Sequence, residues 1–106
     1  MSYRFMRIIV FFDLPTETNE DKREYRRFRK HLITSGFVMM QESVYCKMTI
    51  NRAAARAMAK NISDNSPKDG LVQLLVITEK QFAKIECIVG ESSTDVINDD
   101  RRVIII

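Results

Sequence analysis

Residues 6–12 are apolar except for Arg7, and a Leu14-Pro15 break follows. A short, nearly continuous apolar run with such a boundary predicts a strand at the centre of its sheet. Beyond Asn19 the period changes. Tyr25, Phe28, Leu32 and Gly36 recur at helical spacing on one side, while Arg23, Arg27, Lys30 and Thr34 project the other way. Thr18 or Asn19 can cap this helix, acidic residues occupy its first turn where the dipole favours them, and Gly36 is its C-terminal stop. Residues 37–40 read as a second strand, Gln41-Glu42 as a tight link, and residues 43–50 as a third strand. In the third strand Val44, Cys46 and Met48 alternate with Tyr45, Lys47 and Thr49, which suits a sheet with one buried face. Asn51 caps a second, alanine-rich helix over residues 52–64 with a narrow apolar stripe of Ala54, Met58 and Ile62. A polar loop with Pro67 and Gly70 leads to a fourth strand over residues 71–78.

Strand, helix, strand, strand, helix, strand is the split βαβ order, so the fold class predicted is α+β, ferredoxin-like βαββαβ. That arrangement gives a four-stranded antiparallel sheet with both helices on one face and leaves the other face to be covered. The chain, residues 1–106, reads as a single domain with a core over about residues 1–80 and a C-terminal extension over about residues 85–106. Within and before that extension, residues 81–84 suggest a turn of helix, 85–90 a fifth strand, 92–100 a polar connection and 102–106 a further extended piece. The terminal apolar run would be an aggregation hazard unless it pairs with a sheet edge, including the edge of a second copy in a homodimer.

Charge adds a partner class. The 106 residues carry a formal charge of +3, and Lys22, Arg23, Arg26, Arg27, Arg29 and Lys30 crowd one helix. A clustered basic face fits nucleic acid, whereas an ordinary solvated helix face is the other reading, because Glu20, Asp21 and Glu24 partly offset the charge. Helical geometry favours Arg23, Arg26, Arg27 and Lys30 as phosphate contacts, with Arg4, Arg7 or the Arg101-Arg102 pair next in line. Cys46 and Cys87 lack metal-ligand spacing and lie in apolar runs, which predicts buried free thiols. No stretch is long enough to span a membrane and no leader pattern opens the chain, so a reduced cytoplasmic setting is expected.

Asp13 is the residue with the clearest chemical potential. A carboxylate on the last residue of a central strand is held rigidly, and magnesium takes one or two carboxylates with waters and substrate phosphates. One chain offers one such ligand there, and a two-fold axis would supply its copy. The alternative is that Asp13 accepts backbone N–H bonds in the turn before Pro15. Ser43 and His31 carry no triad signature, Tyr45 and Phe37 suit sheet packing or base stacking, and no phosphate loop or HExxH motif occurs.

The stretch RIIVFFDLPTET, the basic helix after it and GFVMMQESVY resemble the small CRISPR adaptation proteins of the Cas-two family, in a type II-A-like variant. The resemblance rests on Phe12-Asp13-Leu14-Pro15, Gly36-Phe37, Gln41-x-Ser43-Val44-Tyr45, and Val76 with Thr78-Glu79-Lys80-Gln81-Phe82, in that order over nearly the whole chain. It implies a ferredoxin-like homodimer in a prokaryotic cytoplasm, with the strand-end aspartate, here Asp13, as metal-binding and catalytic residue of a magnesium-dependent endonuclease acting on RNA or DNA. It also implies a role in spacer acquisition, in which the dimer bridges Cas-one integrase dimers and holds a double-stranded DNA protospacer. A single carboxylate per chain is sparse for a nuclease, so the residues themselves point to a duplex-binding scaffold with weak metal-dependent cleavage. A stand-alone, toxin-like metal-dependent ribonuclease on the same fold is the competing reading, and a ligand-binding regulatory dimer is a third.

Overall fold

The computed structural model describes residues 4–90. Strand β1 (Met6–Asp13) leads into helix α1 (Asn19–Thr34), strands β2 (Val38–Gln41) and β3 (Val44–Thr49), helix α2 (Arg52–Asp64), strand β4 (Leu71–Thr78) and a single helical turn, α3 (Glu79–Phe82). The sheet order is β2-β3-β1-β4, and every neighbouring pair is antiparallel. The predicted α+β architecture and central first strand are therefore present.

The alternation of β1 divides the molecule. Met6, Ile8, Val10 and Phe12 point to one face and pack with Phe28 and Leu32 of α1 and Ala55 and Ile62 of α2. Tyr45 joins them from β3, stacked on Phe12 at 5.7 Å between ring centroids, while Phe28 meets Phe12 edge-on at 5.4 Å. Each such side chain, fully buried, contributes about 1.5–3 kcal/mol relative to exposure. In α2 the buried alanine is Ala55 and not the expected Ala54, because Ala55, Met58 and Ile62 are the set that shares the sheet-facing side.

Local chemistry fixes the ends of α1. Thr18 is the N-cap: its hydroxyl accepts from the Asp21 N–H at 3.0 Å, and the Asp21 carboxylate accepts from the Thr18 N–H at 3.2 Å. At the other end Gly36 adopts φ +97°, and the Phe37 and Gly36 N–H groups donate to the Leu32 and Ile33 carbonyls, each at 3.0 Å. That is a Schellman closure, and it turns Phe37 into the core. The link between β2 and β3 is Glu42-Ser43, one residue later than expected, because Gln41 still pairs with Val44. Ser43 takes φ 67° there and its carbonyl accepts from the Phe12 N–H, a turn role for the residue weighed as a nucleophile.

Two expectations fail. Residues 85–90 form no strand; Ile85, Ile88 and Val89 are exposed and find no sheet edge among the described residues. β4 is the edge strand of the sheet, and residues 85–90 do not pair with its outer side, so their apolarity alone does not make a strand. For the same reason Cys87 is exposed, whereas Cys46 on β3 is buried as expected. The expected extended piece over residues 102–106, and Arg101 and Arg102, lie outside the described residues.

Candidate nucleic-acid interface and metal ligand

Asp13 belongs to the odd-numbered residues of β1, and these face away from both helices. Its partner in register is Leu71 at the start of β4, and the other odd positions are Arg7, Ile9 and Phe11. With their cross-strand neighbours they make an open apolar sheet face on which Phe11, Val38, Met48, Leu71 and Leu75 are 36–63% exposed. Ile9 and Cys46, in the middle of the same face, are buried by these neighbours. The Asp13 side chain is exposed and, among the described residues, receives no hydrogen bond, including none from a turn N–H. The turn role weighed for it is thus not used. Nor do the described residues hold any group of three or more His, Cys, Asp or Glu side chains suited to a metal ion. Among the described residues, the chain therefore presents Asp13 as a rigidly placed carboxylate available to an outside ligand.

The basic helix divides into two sets. Arg23 is ion-paired with Glu20 at 2.7 Å, and Arg27 with Glu24 at 3.0 Å, both across i,i+3 and both on the surface. Arg27 also donates to the Asn65 carbonyl at 3.1 Å, and His31 hydrogen-bonds Asn61 at 2.8 Å, so this flank of α1 borders α2. That contact ties down the His31 ring, which the sequence places on the solvated side. Lys22, Arg26, Arg29 and Lys30 have no ion-pair partner among the described residues. Arg29 instead donates from Nε to the hydroxyl of buried Tyr45 at 2.9 Å. Of the four residues favoured by helical geometry, Arg26 and Lys30 are open to a new anion, and Arg23 and Arg27 carry surface ion pairs worth at most about 1 kcal/mol each. Lys22 and Arg29 were passed over; the glutamates three residues before Arg23 and Arg27 were the sequence signal that could have singled them out.

Arg7 is engaged elsewhere. Its guanidinium forms a two-pronged ion pair with Glu79, 3.0 Å on one prong, and lies 4.2 Å from the ring centroid of Phe82. Hydrogen bonding to the Glu79 carboxylate raises the Arg7 pKa above its ordinary value, against a smaller lowering by burial. The pair straps α3 onto the open face of β1 and β4, so Arg7 is an unsuitable phosphate contact. A cleft of about 360 Å³ begins at Leu14 and Pro15, but Glu20, Asp21, Glu24 and Asp69 outnumber Arg27 and Lys68 in its walls, which disfavours an anion. No helix of the described residues is long and apolar enough to cross a membrane.

Comparison with known proteins gives a consistent result. Residues 6–85 match the family model described as CRISPR associated protein Cas2. A CRISPR-associated endoribonuclease Cas2 of Treponema denticola is 50% identical over 101 residues, covering 95% of this chain and 100% of the relative. Relatives of the same description from Streptococcus mutans serotype c and Ligilactobacillus salivarius are 46% and 43% identical, over 93% and 95% of this chain and 91% and 100% of their own lengths. With a family match from the first strand past the last, and relatives of this closeness along nearly the full length, the chain belongs to the Cas2 family of CRISPR-associated proteins.

Proposed function

We propose that this protein acts in CRISPR adaptation as a homodimeric, double-stranded-DNA-binding scaffold that bridges the Cas-one integrase, and that it has magnesium-dependent endonuclease activity centred on Asp13. The observation that carries the reading is the position of Asp13: exposed, without a hydrogen-bond partner among the described residues, at the rim of an apolar sheet face that a second copy can cover. A two-fold axis near that rim would bring two copies of Asp13 together, a donor set of the kind magnesium accepts. Asp13 is thus the metal ligand and catalytic residue of the proposal. Bound magnesium or another divalent cation would supply Lewis-acid polarisation of a phosphodiester. The chain's own residues supply the rest: β1 fixes the carboxylate, and α1 supplies cations for the phosphate backbone. Arg26 and Lys30 are available directly, whereas Arg23 and Arg27 are already engaged in surface pairs with Glu20 and Glu24. Phosphate contacts carry no sequence information, which suits the handling of arbitrary foreign DNA.

The names of the relatives, CRISPR-associated endoribonucleases, favour a second reading, a metal-dependent ribonuclease acting on its own on the same fold. One experiment separates the two. Purified wild-type protein and Asp13→Asn are compared for binding and cleavage of duplex DNA and single-stranded RNA with and without magnesium, with sedimentation at the same concentrations. The scaffold reading expects a dimer that holds duplex DNA equally well in both proteins and loses metal-dependent cleavage in the variant. A wild-type monomer, or cleavage at an unchanged rate in Asp13→Asn, contradicts it; RNA cleavage without duplex binding favours the second reading.

A further inference from the structure

We propose that Lys22, Arg26, Arg29 and Lys30 form the phosphate-tracking stripe of α1, with Arg29 held in position by the Tyr45 hydroxyl, and that Arg23 and Arg27 lie outside it. The inference rests on the nucleic-acid reading above and names the residues that serve it. The spacing is i, i+4, i+7, i+8, so the four cations share one face of the helix along about 12 Å of its axis. That face is the flank of α1 away from α2. Arg27 and His31 reach Asn65 and Asn61 on the opposite flank, and Arg29 reaches Tyr45 of β3. Among the described residues none of the four cations has a carboxylate within ion-pair distance, whereas Arg23 and Arg27 each have a glutamate three residues before them.

Like charges at i,i+3 and i,i+4 repel, and among the described residues no ion pair offsets them. A polyanion laid along the flank does. Arg29 is the best-placed member. Its Nε donates to Tyr45, which is 1% exposed and stacked on Phe12, so the guanidinium is fixed by a core residue. Its terminal amines remain for a phosphate, in the planar fork that suits two oxygens. An arginine already ordered in the free protein loses less side-chain entropy on binding. Tyr45 is then a positioning residue, acting only through Arg29.

The test is duplex binding by fluorescence anisotropy, with a blunt DNA of mixed sequence, over a salt series. Two double variants are compared with wild type: Lys22→Ala with Arg29→Gln, whose amide can still donate to Tyr45, and Arg23→Ala with Arg27→Ala. The first should flatten the slope of log K against log salt by about 1.8 per protomer, which shrinks the affinity drop between about 50 and 200 mM salt by about twelvefold. The second should move the slope by less than about 0.4. Tyr45→Phe should weaken binding about threefold at an unchanged slope, since the charge stays and only its ordering is lost. The stripe is overturned if the Arg23/Arg27 variant flattens the slope as much as the Lys22/Arg29 variant, or if wild type binds and the Lys22/Arg29 variant keeps its slope. Unchanged affinity in Tyr45→Phe removes the anchoring role. If wild type shows no salt-dependent duplex binding, the nucleic-acid reading itself falls, and the stripe with it.

Discussion

Gly70 and Gly36 offer a controlled comparison of what holds the strand end at Asp13 in place. Both have nearly the same left-handed backbone, φ +94° and +97°, so an alanine meets the same torsional penalty at each, roughly 1–2 kcal/mol. Their surroundings differ. A Cβ on Gly36 would meet the Lys47 ammonium at 2.6 Å, the far end of a flexible side chain that can swing away. A Cβ on Gly70 would lie 2.8 Å from Leu14 Cδ2, 2.9 Å from the Asp13 carbonyl oxygen and 3.1 Å from Leu14 Cα. Two of those three atoms are backbone, so relief requires moving the end of β1. Overpacking of that kind costs about 1–3 kcal/mol, and the lost flexibility of the unfolded chain returns about 0.4–1 kcal/mol in both variants. Gly70→Ala should therefore cost about 2–4 kcal/mol and Gly36→Ala about 1 kcal/mol or less. The assay is urea unfolding followed by far-UV circular dichroism at one fixed protein concentration, because association would shift the midpoint. With an m-value of about 1.5 kcal/mol per molar urea, the two midpoints should differ by about 0.7–2 M. Midpoints that coincide within about 0.3 M would refute the claim that backbone contact at Gly70 pins the Asp13 strand end.

Two further outcomes are expected. Arg29→Ala should destabilise the fold by about 1–3 kcal/mol because it leaves the buried Tyr45 hydroxyl without its donor, whereas Tyr45→Phe removes both needs together and should cost under about 1 kcal/mol; the reverse order in thermal melts would contradict the hydrogen bond. The Arg7 pKa is raised in the folded state, so its contribution is fully present below the ordinary arginine value and is lost only as pH rises through the higher folded one. Stability owed to the Arg7 side of the Glu79 pair should therefore be flat through the neutral range, and a difference between wild type and Arg7→Met that changes there would show that another group is involved.

What the sequence made legible and what it hid separate along physical lines. The central strand, both long helices and their caps come from periodicity and local hydrogen bonding, which are properties of neighbouring residues. The face of Asp13 was legible too, since it shares the parity of Phe11. Residues 85–90 were misread because apolarity describes a segment, while a strand also needs hydrogen-bond pairing with a neighbour, which this segment does not make even though the outer edge of β4 is open. Cys87 went wrong with that strand. The pairing of Arg23 and Arg27 was open to reading at i,i+3 spacing, yet the charge cluster drew attention as a sum. Arg29–Tyr45 and Arg7–Glu79 depend on strand register and on how α1 lies over the sheet, and no local pattern encodes either.

The central place of β1 has a consequence for the order of assembly. Its two neighbours both come from later in the chain, and the Arg7–Glu79 contact at the β4 border closes a span of 72 positions. The β2-β3 hairpin closes across two residues. Loop-closure entropy must be met before the contacts it enables can form, so the hairpin is cheap and the β1-β4 pairing is the slow, late step. Leu71, which faces Asp13, arrives with that last strand. A chain still emerging from the ribosome carries the aspartate on an unpaired edge with no defined geometry. If Asp13 holds a metal as proposed, its site would take shape only when synthesis has passed β4 and the sheet has closed.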